Sequence, residues 1–179
     1  LSSCTSCLVT NSSLIQQVYF PREIFPTAIS GFRLVNLCLS TLIIFPYMLY
    51  EGLPLTKHMI LLPMSMIFSI MMAQGLGMMT AAIQVRVRDT KQVIDLILRA
   101  AFFLSGVFFG AEHIPPEHLA TFLLNPIAVF IEMARAAVLG DMSLLTWGQI
   151  MRSISLAVIA FIIGSMIFVK SERKAVKFL

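Results

Sequence analysis

Charge is scarce in this chain. Asp, Glu, Lys and Arg together make 12% of its 179 residues, about half of the roughly 25% found in soluble domains. Apolar residues make 58%. A soluble fold of this size leaves roughly a third of its surface wet, more than so polar-poor a chain can cover. The shortage of charge therefore excludes a freestanding soluble domain and leaves an integral membrane protein.

Cysteine and histidine are scarce as well, three of each. Cys4 and Cys7 form a CxxC, but no second Cys or His pair lies near it, which weighs against zinc. Cys38 sits inside an apolar run and reads as a small packed hydrophobe. His58, His113 and His118 fall in expected outer loops. In "AEHIPPEH" the last two flank a Pro pair beside Glu112 and Glu117 without a third neutral ligand, so a solvated loop outweighs a metal site. No GxxxxGK[ST] loop is present, so ATP, if it is used, is bound by another chain. No catalytic constellation is present either. The net charge of +4 is not interleaved with aromatics as on a nucleic-acid surface. It falls into three short patches beside apolar runs, the orientation signal of membrane proteins.

What the chain does have is long apolar runs. A membrane helix needs about 20 such residues at ~1.5 Å each. Four runs are expected to span: 24–49, interrupted by Arg33, Asn36 and Pro46; 59–85; 93–109, the shortest; and 150–169. Asp89 and Gln92, at N-cap and N3 spacing, open the third. A further run at 116–139 is split by Asn125-Pro126. Proline breaks a continuous helix but suits the first helical position, with Asn125 as N-cap and Gly140 closing the far end. Two short helices, 116–124 and 126–139, are the expectation.

Charge placement sets the topology. With Arg22 cytoplasmic, four crossings keep Arg86, Arg88 and Lys91, then Lys170, Arg173, Lys174 and Lys177, on the same side. Glu51, Glu112, Glu117, Glu132 and Asp141 then fall outside. A fifth crossing would strand one basic cluster outside, against the positive-inside bias. The broken pair is therefore expected to be re-entrant from the outer face, where non-helical backbone needs protein or water beside it.

Ahead of the first run stands "NSSLIQQVYFPREIFP". Leu14, Ile15, Val18 and Tyr19 share one helical face, and Ser12, Ser13, Gln16 and Gln17 take the other. Pro21 ends the helix. Interfacial helices on lipid carry Lys or Arg on the polar face; this one does not, which favours a protein groove. Ala73, Gly77 and Ala81 form a small-residue stripe that lets another helix come close, read as packing within the subunit. Twelve methionines read as compliant packing. Asp95 with Arg99 and Glu132 with Arg135 are spaced to pair along a helix, and Arg33 is placed to snorkel. No line of carboxylates marks a proton relay.

In their order, "NSSLIQQVYFPREIFP" (11–26), "GLGMMTAAIQVRVRD" (75–89), "FLSGVFF" (103–109) and "LLNPIAVFIEMAR" (123–135) resemble the permease subunit of type-2 ABC exporters, especially those exporting O-antigen, capsule or teichoic acid polymers. The resemblance implies an all-α integral membrane fold. Four full transmembrane helices would be joined by a cytoplasmic coupling helix at 11–20 and an outer re-entrant hairpin at 116–139. Residues 1–179 would be one transmembrane domain fragment of a longer protein, with 1–9 the tail of an upstream span and 170–179 a cytoplasmic tail.

The resemblance also implies site residues. Leu14, Ile15, Val18, Tyr19, Phe20, Pro21 and Arg22 would couple to an ATPase subunit, with Arg88 and Asp89 near the same interface. Phe102, Phe103, Phe108, Phe109, Asn125, Pro126, Glu132 and Arg135 would border the substrate path. This chain would bind no cofactor and no metal; ATP and Mg would sit on the partner ATPase. A second copy would complete the conduit, and a lipid-linked polysaccharide would cross the bacterial cytoplasmic (inner) membrane, with the C-terminus cytoplasmic and membrane lipid around the dimer. At Ser105-Gly106 the chain departs from the Ser-Pro of many relatives, and glycine permits a kink without imposing one. A same-fold exporter of small amphipathic drugs or lipids is the alternative. A secondary transporter is a further one, although the inverted repeats expected of it are not evident.

Overall fold

The structure, a computed structural model, describes residues 1–10, 24–53, 56–85, 87 and 89–175. The expected coupling helix at 11–20, together with Pro21, Arg22, Arg86 and Arg88, lies outside the described residues. Among the described residues every regular element is helical. Two four-residue helices, α1 (Ser2–Thr5) and α2 (Cys7–Thr10), come first. They are followed by α3 (Ile24–Leu42), α4 (Ile44–Tyr50), a 3₁₀ turn (Lys57–Ile60) and α5 (Leu61–Gln84). The chain continues through α6 (Thr90–Leu104), α7 (Pro116–Phe122), α8 (Pro126–Leu139) and α9 (Trp147–Ala175).

Prolines write most of the boundaries. Pro26 and Pro63 fall in the first turns of α3 and α5, where a missing N–H removes no helical bond. Pro46 sits inside the expected first span and has no N–H to offer the Leu42 carbonyl. The ladder gives way just there: α3 ends at Leu42, and the Ile43 N–H reaches back to the Ser40 carbonyl at 3.3 Å. Among the described residues, three stretches are long and apolar enough to cross a membrane: Ile24–Tyr50, Lys57–Gln84 and Trp147–Ser171. The α7–α8 pair passes the same test only when taken together, and it bends by 108° at its break.

The expected fourth span, 93–109, coincides with a shorter helix. That helix is α6, 15 residues long and so roughly 22 Å at ~1.5 Å per residue, short of a hydrocarbon core of about 30 Å. The helix begins earlier than the apolar run, with the Asp89 carbonyl accepting from the N–H groups of Gln92 and Val93 at 3.0 and 3.3 Å. It stops earlier too. Gly106 has φ +73°, a left-handed value at which a right-handed helix cannot continue. Residues 105–109 keep the apolar character of a span but leave its axis.

The chain divides into two compact units. One comprises Leu1–Arg33, Ile70–Arg99 and Val158–Leu179; the other comprises Leu34–Ser69 and Ala100–Ala157. In the first, α5 and α9 meet backbone to backbone. A methyl group on Gly75 would run into the main chain of Ala160 and Phe161, and one on Gly164 into the main chain of Gly75. Beside this crossing, Cys7, Met78, Ala81 and Phe168 form a buried cluster, while Gly77 lies against Cys4, whose Cβ would be 2.5 Å from an added one. The small-residue stripe of α5 is thus occupied within the chain. Polar side chains tie the same elements: Thr5 and Thr80 hydroxyls lie 2.7 Å apart, and Gln74 donates to Thr27 at 3.3 Å. Arg33 donates to the Ser3 hydroxyl at 3.1 Å.

Close backbone contact leaves no slack for side-chain repacking. Gly164→Val and Gly75→Val should each destabilise the protein by about 1–3 kcal/mol, the usual cost of overpacking, read as a lower melting temperature in detergent. Gly31→Ala, at a site where an added methyl meets nothing, should leave that temperature unchanged.

Candidate functional site

The second unit is organised around α8. Its N-terminus is closed by Asn125, whose Oδ1 accepts from the Ile127 N–H at 3.0 Å, and Pro126 occupies the first helical position. At the other end Gly140 adopts φ +75° and donates its N–H to the Ala136 carbonyl at 2.9 Å. These are the caps that the residue types specify. Between them Ala128, Val129, Phe130, Met133, Ala136 and Ala137 are buried.

Glu132 is buried with them, 5% exposed. A carboxylate out of water needs donors at fixed places. One is the Ala111 N–H, 2.9 Å from Glu132 Oε1. The other is Arg135, which pairs with the same oxygen from one turn further along. The second terminal nitrogen of Arg135 donates to the Gly106 carbonyl at 3.3 Å. A cleft of about 50 Å³, walled in part by Gly110, Glu112, Arg135 and Asp141, opens beside the pair. That is room for a few waters, at roughly 10–15 Å³ each, and far below the ~300–1,000 Å³ of sites that enclose small molecules.

The aromatic residues lie on the loop that this pair touches and on the end of α6 that precedes it. Phe102 meets Phe108 edge to face with centroids 5.3 Å apart and Phe103 at 5.8 Å, while Phe103 and Phe108 stack at 5.9 Å. The three rings are 46%, 61% and 70% exposed respectively for Phe102, Phe103 and Phe108. Phe109 turns away from them and packs on Phe122 of α7, at 6.1 Å. Gly106 makes the turn possible: besides its left-handed φ, an added Cβ would sit 2.6 Å from the Phe122 ring.

The residues expected to border a path are therefore of three kinds. Phe102, Phe103 and Phe108 are gathered on one exposed surface. Asn125, Pro126 and Phe109 hold helix ends and packing. Glu132 and Arg135 bind main chain. Asp89 belongs to the other unit, at the start of α6. The i,i+4 pair expected of Asp95 and Arg99 is not formed; the ion pairs among the described residues are Glu132–Arg135 and Glu112–His113. Sequence reading missed Arg152, which lies early in α9 and donates to the Leu123 carbonyl at the end of α7. A lone arginine just inside an apolar run was its only signal. The tight Gly75–Gly164 approach was also missed, because its partners come from two different runs.

Long apolar helices, a proline-broken pair and one buried ion pair describe a multi-pass helical membrane protein. Its family is given by comparison of sequences: the profile of the ABC-2 type transporter family matches residues 8–139, and the chain belongs to that family, whose matched segment is the membrane component rather than the ATPase. The chain is also similar to the O-antigen export system permease protein RfbA of Myxococcus xanthus, 27% identical over 128 residues, 68% of this chain and 48% of that protein. It thus spans about half the length of the curated relative it matches.

The glycine at 106 does more than permit a kink, since φ +73° is closed to proline, whose ring fixes φ near −65°. Gly106→Ala should cost about 1–2 kcal/mol through the left-handed backbone alone. Gly106→Pro should lower the melting temperature further than Gly106→Ala does.

Proposed function

We propose that this chain is the permease part of an ATP-driven exporter that moves a lipid-linked polysaccharide outward across the bacterial cytoplasmic membrane. The observation that carries the proposal is the likeness to an O-antigen export permease along 68% of the chain, within a family of ABC-2 transporter membrane components. The exposed cluster of Phe102, Phe103 and Phe108 supports a polymer as cargo. Flat apolar ring faces can stack on successive sugars without reading their order.

In this reading a separate ATPase chain binds ATP and Mg, and a second copy of the permease completes the conduit. The amphipathic segment 11–20 docks on the ATPase through Leu14, Ile15, Val18, Tyr19 and Phe20. Pro21 and Arg22 separate it from the first span, and Arg88 and Asp89 lie near the same interface. Closure of the ATPases on ATP pushes the coupling segments, and the permease halves shift. The basic patches mark the cytoplasmic face, the C-terminus included, by the positive-inside bias. Arg86 and Arg88 attract the pyrophosphate of the lipid-linked substrate there. The α7–α8 pair dips in from the outer face, and its break borders the exit.

Tyr19→Asp or Phe20→Asp should lower export by about tenfold or more, the scale on which loss of one buried interface anchor acts, while ATP hydrolysis by the partner and insertion of the spans persist. Export of polymer at the normal rate by these variants would remove the coupling role. Purified chain that transports substrate with no nucleotide-binding partner would overturn the exporter reading itself. Export of small amphipathic drugs or lipids, with no defect in surface polysaccharide when the chain is deleted, would replace the polymer with that cargo.

A further inference from the structure

The main chain after α6 is held in an unusual way. Between the end of α6 at Leu104 and a short 3₁₀ turn at Ala111–His113, where the His113 N–H meets the Gly110 carbonyl at 3.0 Å and the Ile114 N–H the Ala111 carbonyl at 3.2 Å, the chain forms no long regular element. Main-chain groups away from water are nearly always paired, and here two side chains on α8 supply partners at both ends of the stretch. Glu132 receives the Ala111 N–H at 2.9 Å, and Arg135 reaches the Gly106 carbonyl at 3.3 Å. The two anchors are five residues apart, and Phe108 and Phe109 lie between them. Glu132 and Arg135 also bind each other, so the two anchors form one unit on one helical face.

We propose that Glu132 and Arg135 are positioning residues: together they clamp the loop at 105–112 to α8 and so set where the exposed ring cluster stands. This deepens the export reading, in which those rings meet the cargo. Glu132 is not itself presented to a polymer, and Arg135, its side chain 27% exposed, lines only a narrow cleft. Glu132 is enclosed, its bonded oxygen shared by two donors, and the cleft beside Arg135 admits only water-sized groups. The clamp depends on the shape of the guanidinium as well as on its charge. A planar fork binds two acceptors at once, whereas an ammonium is a single point of charge. Lysine at 135 would keep Glu132 paired and release Gly106. The loop would then be free of α8 at its first anchor, and the rings would no longer follow the helix.

The test uses the full permease with its ATPase partner in membranes, with Cys38→Ala removing the exposed native thiol and Val107→Cys placing a probe between the anchors. Arg135→Lys should raise the maleimide labelling rate at position 107 by about tenfold, the scale of one lost hydrogen bond to a charged group, at an unchanged melting temperature. Arg135→Ala should raise it at least as far. Asn125→Ala weakens the cap of α8 without touching the clamp and should leave labelling as it was. In transport, Arg135→Lys should raise the substrate concentration for half-maximal export more than it lowers the maximal rate. Wild-type labelling in Arg135→Lys would show that charge alone suffices and would overturn the proposal. Equal acceleration by Asn125→Ala would reduce the pair to general stability and would also overturn it. If Phe103→Ala and Phe108→Ala left export intact, the role of the rings would fall, but the labelling result, which needs no substrate, would stand.

Discussion

A carboxylate removed from water must be met by donors held where it needs them, or the helix carrying it cannot be buried. In this chain that condition falls on Glu132. Its helix packs its apolar side chains into the centre of one unit, and it can do so because Arg135 and the Ala111 N–H answer the charge. The answer is not local. It draws in a loop 21 to 29 residues earlier, holds the turn at Gly106 and leaves Phe102, Phe103 and Phe108 together on an exposed surface. Removing the carboxylate's partners would leave a buried charge alone, so the loop, the turn and the rings stand or fall with this pair.

The other unit solves a different problem with the same economy of charge. Apolar helices in lipid gain nothing from hiding apolar surface, so they associate through close packing and a few polar bonds. Gly75 and Gly164 let two main chains touch, and Thr5, Thr80, Gln74 and Thr27 supply hydrogen bonds across neighbouring helices. Membership of the ABC-2 transporter family fits a membrane domain built in this manner.

Much of this was legible from residue order, and the remainder failed for identifiable reasons. Apolar runs and prolines marked the long helices, and Asn125-Pro126 with Gly140 marked α8 at both ends, because caps are decided by residues next to one another. The i,i+3 spacing of Glu132 and Arg135 also gave their pairing. It did not give their other partners, since Gly106 and Ala111 offer main-chain atoms that no side-chain pattern reveals. The early end of α6 was not legible because hydropathy counts residues and is blind to φ; residues 105–109 are apolar without being helical. The coupling segment lies outside the described residues.

The early end of α6 has a consequence for the bilayer. A helix of about 22 Å cannot match a hydrocarbon layer of about 30 Å, and each ångström of mismatch costs a fraction of a kcal/mol in lipid deformation. Where α6 lies across the bilayer, lipid next to it would thin, or its outermost layer would be replaced by the rings and loop that follow Gly106. In either case the apolar distance beside α6 would be shorter than along the three stretches long enough to span, Ile24–Tyr50, Lys57–Gln84 and Trp147–Ser171.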